Sequence, residues 1–253
     1  MNAFSLEGKV ILVTGASSGI GRACAISVSE AGGSVIITGR DVNRLDETRR
    51  RIKEKRCYSF TQELTEYGLT GAHIENAVSV LGKIDGFIHA AGIEDPAPFR
   101  QMTPEKYLRI FKINVIAGFE LVRIISNKKY VPDSGASYVF ISSVMAVLGK
   151  PGLVGYCSSK AALVAGVKAI ALELAPKKIR VNSVLPGIVE DTEMTKNLFR
   201  ILPEEAQKGI IQMHPLGLGV THDVSHLCVY LLSDAARWIT GAEIPIDGGY
   251  SAQ

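Results

Sequence analysis

The sequence predicts an α/β fold: a single domain over residues 1–253, doubly wound in the Rossmann manner, with a parallel sheet flanked by helices on both faces. Two observations carry that expectation. Short β-branched runs alternate with amphipathic stretches of helical length, which is the signature of βαβ units. The runs KVILVTG, SVIITGR and YVFISS are apolar almost throughout, as strands covered on both faces must be. The predicted strands are 10–13, 35–38, 84–90, 137–142, 179–184 and 243–246.

The first strand runs into TGASSGIG, residues 14–21, and a helix-like stretch begins at Ile20. Gly15, Gly19 and Gly21 let the backbone bend tightly and approach a pyrophosphate without a Cβ in the way. The N–H groups and positive dipole end of the following helix then face the anion. The turn residues Gly15, Ser17, Ser18, Gly19, Ile20 and Gly21 are therefore candidate cofactor contacts. Gly32 and Gly33 close this helix.

The second strand ends Thr38-Gly39-Arg40. A site specific for NAD places a carboxylate there for the adenosine ribose. With glycine in that place and Arg40 next, a 2′-phosphate meets no acidic repulsion and gains a guanidinium fork, so NADP(H) is favoured and NAD is the alternative. Asp41 follows and could swing inward or pair with Arg40. In the next helix Leu45, Thr48 and Ile52 share one face, and the basic run RRRIKEKR, 49–56, continues a solvated face. Asp46 and Arg50, and Glu47 and Arg51, stand at i,i+4.

Ser143 follows the strand YVFISS. Tyr156 and Lys160 stand four apart at the start of the helix-like run YCSSKAALVAGVKAIALEL, on one face about a turn apart. A phenol of ordinary pKa, about 10, is a poor acid-base group at neutral pH unless a nearby cation favours its phenolate. Lys160 can be that cation, Tyr156 can then exchange a proton with a substrate oxygen, and Ser143 can hold the same oxygen. Singly, each has a structural account: a half-buried tyrosine, a snorkelling lysine and a strand-ending serine.

Bulk properties narrow the classes. With 47% hydrophobic and 21% charged residues and no apolar run approaching eighteen, the chain reads as globular, without a membrane span. A net charge of +3 gives little attraction for nucleic acid. The start MNAFSLEGKV shows no secretory signal, and four scattered cysteines lack zinc-like spacing, so a cytoplasmic protein with free thiols and no metal is expected. The least regular segment, 190–219, is a candidate substrate lid.

Taken together, TGASSGIG, Ser143, YCSSK, Pro186-Gly187 and the closing WITGAEIPIDGG resemble the short-chain dehydrogenase/reductase family over nearly the whole chain. The resemblance implies Tyr156 as catalytic acid-base and Ser143 as the group orienting the carbonyl. Lys160 would bond the nicotinamide ribose and lower the tyrosine pKa, and Asn114, in FKINVIAGFELV, would hold a relay water through its backbone carbonyl. It further implies cofactor contacts at Glu63 and Leu64 beside the adenine, at Ala91 and Gly92, at Tyr156 and Lys160, and at Pro186, Gly187 and Val189 beside the nicotinamide. A homotetramer is also implied.

Three departures matter. His89-Ala90-Ala91-Gly92 stands where many members read Asn-Asn-Ala-Gly, losing a side chain that bonds across the sheet. His89 in an apolar strand is read as a core histidine. Thr192 lies one residue further from Pro186-Gly187 than in many relatives, which puts its bond to the carboxamide in doubt. Pro215-Leu216-Gly217-Leu218 lacks the arginine common after that glycine.

Within the family, the glycine motif and GAEIPIDGG look most like 3-oxoacyl-acyl-carrier-protein reductases. The expected activity is reduction of a ketone or 3-oxoacyl thioester, a small-molecule carbonyl substrate. The alternatives are an alcohol dehydrogenase for a sugar, polyol or steroid, and a non-catalytic redox sensor. Lys128 and Lys129 are candidate contacts for an acidic carrier, whereas Glu173 stands where such reductases often carry an arginine. Met194, Leu198, Phe199, Leu202 and Met213 are candidate cover for a hydrophobic substrate.

Overall fold

The structure is a computed structural model that describes residues 3–52 and 56–252. Seven parallel strands form one sheet in the order β3-β2-β1-β4-β5-β6-β7. They are β1 Val10–Thr14, β2 Ser34–Gly39, β3 Cys57–Thr61, β4 Gly86–His89, β5 Ala136–Ile141, β6 Ile179–Pro186 and β7 Glu243–Ile246. Strand order reverses between β1 and β4, and in such sheets the crevice outside the carboxyl ends at that point is where ligands bind.

Side chains alternate across the sheet, so each buried strand feeds two cores. Leu12, Ile36, Phe87, Tyr138 and Val181 pack with α3 (Tyr67–Leu81), α5 (Ala117–Ile125) and α6 (Val154–Leu174). Ile11, Val35, Ile37, Ile88 and Val184 pack on the other side with α1 (Gly19–Glu30), α2 (Val42–Arg50) and α9 (Thr221–Leu232). β3 was not among the predicted strands. It is an edge strand whose Cys57, Tyr58 and Ser59 are only half-buried, so it lacks the continuous apolar run that marks β1, β2 and β5.

The segment expected to be irregular folds as two short helices, α7 Glu193–Ile201 and α8 Glu204–Gln212. Its ends are stapled at the base. Glu190 N–H donates to Gly219 O at 2.8 Å and Gly219 N–H to Ile188 O at 3.1 Å. Asp191 accepts from Thr221 N and Thr221 Oγ1 at 2.9 and 2.8 Å. Residues 53–55 of the basic run lie outside the described residues. Glu47 is taken by Arg22 of α1 at 3.0 Å, across the helix pair, instead of by Arg51.

Lys128 and Lys129 lie between α5 and β5, at the amino edge of the sheet, where Tyr130 O accepts from Ile84 N. This is the edge opposite the crevice, and Lys129 is paired with Glu75 at 2.6 Å. They are thus misplaced for docking a carrier at the cleft mouth.

Candidate active site

The turn after β1 is built for close approach. Gly15 has φ +67°, and a Cβ on it would lie 2.8 Å from Ala91 N, so the β1 and β4 ends touch backbone to backbone. The Ser18 side chain makes no capping bond to α1, leaving the first-turn N–H groups directed at the crevice. Two groups to which the sequence reading gave no part in the turn brace it. Arg22 donates to Ser17 O at 2.6 Å, and Thr48 Oγ1 of α2 donates to Ala16 O at 2.8 Å. The cradle and its free donors fit a dinucleotide pyrophosphate.

At the end of β2, a Cβ on Gly39 would lie 3.0 Å from Ser17 Oγ, so a side chain there would have to displace the Ser17 hydroxyl by a few tenths of an ångström. Arg40 is exposed, and its Nη1 sits 3.4 Å from Glu63 Oε2; Leu64 beside Glu63 is buried. Asp41 neither turns inward nor pairs with Arg40. It caps α2, accepting from Arg44 N at 3.1 Å.

His89 is buried, and its Nδ1 lies 3.0 Å from Thr14 Oγ1, which in turn accepts from Ala91 N at 3.4 Å. The cross-sheet bond expected to be lost is therefore supplied by the histidine. Burial, with the Lys160 charge second, pulls His89 down to about 3, so it stays neutral.

Asn114 lies in a π turn, Lys112–Ile116, between α4 (Pro104–Phe111) and α5. Such turns interrupt the regular ladder and recur at functional sites. Its buried amide accepts from Ile93 N at 2.8 Å and donates to Ile93 O and to Ser159 Oγ, both at 3.0 Å. The sequence reading gave Asn114 a role through its backbone carbonyl only; its side chain clamps the segment that follows β4 to α6. Gly92 faces Asn114 Oδ1 and Lys160 Nζ.

Ser143, Tyr156 and Lys160 converge beyond the end of β5. Ser143 Oγ accepts from Met145 N at 3.2 Å and lies near enough to the Tyr156 phenol to favour its ionised form, and Lys160 Nζ lies 5.5 Å from the Tyr156 ring centroid. The expected depression of the phenol is not what this arrangement produces. Burial, then the Glu94 carboxylate, pushes Tyr156 above its ordinary value, and only the nearby Ser143 hydroxyl opposes them. Lys160 directs its ammonium to Ile141 O at 2.8 Å, and burial pulls it down to about 8.

Pro186 ends β6 and Gly187 and Val189 follow it, with Val189 buried in the α1-side core. The 190–219 segment folds back on them through a residue no motif marked. His214 accepts from Ile188 N at Nε2 (3.2 Å), donates to Ile210 O from Nδ1 (2.8 Å), and stacks on Tyr250 at 4.8 Å. Thr192 spends its hydroxyl locally: Oγ1 donates to Val189 O at 2.9 Å and accepts from Thr195 N at 3.2 Å as the α7 N-cap. Glu193 pairs with Arg44 of α2.

Among the described residues no helix is long and apolar enough to cross a membrane, and no cluster of histidine, cysteine or carboxylate side chains could hold a metal. The four cysteines are free thiols.

A sequence model of the family described as enoyl-(acyl carrier protein) reductase matches residues 15–251. A 3-oxoacyl-acyl-carrier-protein reductase of Rickettsia conorii is 34% identical over 96% of this chain and 97% of its own. The crystal structure of a dehydrogenase/reductase from Sinorhizobium meliloti superposes with a TM-score of 0.90 at 29% identity, covering 98% of this chain and 97% of that one. A 7α-hydroxysteroid dehydrogenase complexed with NADH and 7-oxo glycochenodeoxycholic acid gives 0.90 at 28%, covering 98% and 96%. A glycine turn at the strand-order reversal, a serine, tyrosine and lysine gathered beyond β5, and similarity along the full chain lead to one conclusion: this protein is an oxidoreductase and belongs to the short-chain dehydrogenase/reductase family.

Proposed function

We propose that this protein reduces a ketone or a small 3-oxoacyl thioester to the hydroxy compound, with NADP(H) as coenzyme and Tyr156 as the proton donor. The observation that carries the reading is the convergence of Tyr156, Ser143 and Lys160 in the crevice that the glycine turn opens. The residues that would hold the coenzyme are the turn 15–21, Arg40, Glu63, Leu64, Ala91, Gly92, Tyr156, Lys160, Pro186, Gly187 and Val189.

When bound, the reduced nicotinamide supplies a hydride to the carbonyl carbon. Tyr156 gives its proton to the oxygen while Ser143 holds that oxygen. A phenol kept protonated by burial suits the donor role, and a Lys160 that is charged at neutral pH offsets the phenolate once the proton has left. Asn114 holds the Ile93 backbone and Ser159, and so fixes the walls on either side of the ammonium. The four-residue spacing of Tyr156 and Lys160 favours carbonyl over enoyl reduction.

Arg40 supports the choice of coenzyme, because its partner Glu63 holds it through an exposed pair that a phosphate can outcompete. The same reading takes the chain as one cytoplasmic domain assembled as a homotetramer. Exposed Leu108 and Ile116 on the α4–α5 face, and Leu172 and Trp238 elsewhere, are the apolar surfaces such an assembly would cover. The test is steady-state oxidation of NADPH against NADH over short β-keto esters, an acetoacetyl thioester and simple ketones. Turnover with NADPH preferred is expected; no turnover with any of them would overturn the assignment.

A further inference from the structure

His89 stands in a polar row that crosses the carboxyl ends of the strands. The register sets Thr38, Thr14 and His89 side by side on β2, β1 and β4, all buried, with Phe140 of β5 next to them. His89 Nδ1 lies 3.0 Å from Thr14 Oγ1, and Thr14 is the last residue of β1 before the glycine turn. The far edge of the ring rests on α5. A Cβ at Gly118 would lie 2.7 Å from His89 Cδ2 and 2.9 Å from Nε2, so the imidazole reaches the helix only because residue 118 is glycine. In a helix the backbone at one residue stands over the carbonyls four and five residues back, which for Gly118 are those of Asn114 and Ile113 in the π turn.

Donors and acceptors decide where the imidazole proton sits. Thr14 Oγ1 already accepts from Ala91 N at 3.4 Å, and its own hydrogen is free to go to His89 Nδ1. The proton then sits on Nε2, and the Nε2–H alone waits for an acceptor. The opposite tautomer strands two groups, the Thr14 hydroxyl hydrogen and the Nε2 lone pair, where burial makes each costly. Nε2 makes no regular hydrogen bond with a described residue, and the Ile113 and Asn114 carbonyls on its side favour a proton there. Asn114 in turn clamps Ile93 and Ser159, beside Gly92 and Lys160 Nζ.

We propose that His89, with its proton on Nε2, is a positioning residue that ties the end of β1 to the π turn and so sets the spacing between the glycine turn and Lys160. This rests on the reading of that turn as the coenzyme site and of Tyr156 as the proton donor. A neutral imidazole accepts at one nitrogen and donates at the other. An asparagine amide reaches the level of Nδ1 and Cδ2 and stops short of Nε2, so it keeps the Thr14 bond and loses the contact with α5.

The experiment combines long-range proton–nitrogen spectra of protein labelled in its histidines, NADPH affinity by fluorescence titration, and kcat over ethyl acetoacetate, for the wild type, His89→Asn and His89→Phe. The wild-type signal that vanishes in His89→Asn should show the Nε2–H tautomer and stay neutral between about pH 5.5 and 8, where an ordinary histidine titrates. An Nδ1–H tautomer or an imidazolium there overturns the proposal, whether or not His89→Phe folds. His89→Phe should weaken NADPH about tenfold or more and lower kcat as much, because groups a fraction of an ångström out of place react slowly. His89→Asn should recover the affinity and leave kcat about tenfold down, a split that a merely structural histidine would not give. Recovery of both quantities, or of neither, overturns the role of His89 alone. A wild type that binds NADPH yet reduces no carbonyl takes down the reductase reading, while the tautomer and the affinities still judge His89.

Discussion

Lys160 and Ile141 are joined in a way that couples the candidate chemistry to the sheet. Lys160 Nζ donates to the carbonyl of Ile141, the last residue of β5, at 2.8 Å, while Ser142 Oγ donates to the carbonyl of Lys160 at 2.9 Å. The two bonds run in opposite directions between one strand end and one helical turn. They hold the ammonium at a fixed height above the sheet, and burial rather than a carboxylate partner sets its acidity.

That burial makes Lys160 a term in the pH dependence of stability. Its pKa drops from 10.5 to about 8 on folding. Below about 8 both states carry the charge and the full cost of burying it stands; between about 8 and 10.5 the unfolded chain binds a proton the folded chain has released. This group's contribution therefore makes the protein more stable as pH rises through that window, on the order of 3 kcal/mol in all. Urea unfolding of the wild type and Lys160→Met across pH 7 to 10.5 should show the wild type gaining on the variant. Parallel curves would mean that the ammonium is not buried as described.

Tyr156→Phe removes one hydroxyl and leaves the ring beside Ser143. Loss of a positioned general acid lowers turnover by about 10²- to 10⁴-fold. Coenzyme affinity, followed by fluorescence titration, should change little. Turnover close to that of the wild type would show that another group donates the proton.

Arg40→Ala should raise the KM for NADPH about tenfold or more and leave that for NADH nearly unchanged, because a charge-assisted bond to a phosphate is lost and the ribose contacts remain. The Arg40–Glu63 pair is exposed and worth at most about 1 kcal/mol, so thermal stability should hardly move. Equal losses with both coenzymes would show that Arg40 does not read the phosphate.

The sequence revealed these features unequally, for physical reasons. β1, β2 and β5 announced themselves as nearly continuous apolar runs, whereas β3, half-exposed at the sheet edge, carries no such run. The glycine turn and the Tyr156–Lys160 spacing are local patterns, visible within a few residues of one another. Thr48 and His214 meet Ala16 and Ile188 from other elements of the fold, and nothing near them in sequence shows these partners. His89 was legible as a core histidine, but its bond to Thr14 depends on a β1–β4 register that only the folded sheet defines. The direction of the Tyr156 shift was misjudged because residue spacing shows that a lysine is near, and not where its ammonium is spent.

Beyond the staple at its base, the 190–219 segment is fastened at two places of unequal strength, and this gives a final prediction. Near β6, the buried His214 satisfies Ile188 N–H and Ile210 O together, so His214→Phe would retain the stacking on Tyr250 while orphaning both backbone groups. A buried group left without its partner costs about 1–3 kcal/mol, and in a domain of this size each kcal/mol lowers Tm by about 2–4 °C. At α7, Glu193→Gln breaks an exposed pair with Arg44 that is worth at most about 1 kcal/mol. His214→Phe should therefore lower Tm by several degrees and raise the coenzyme KM, since Ile188 lies between the candidate contacts Gly187 and Val189. Glu193→Gln should leave Tm nearly in place and instead speed proteolytic nicking within 193–212, where the helix has lost its tie to α2. If Glu193→Gln proves the more destabilising of the two in differential scanning calorimetry, the lid is anchored at α2 and the account of His214 fails.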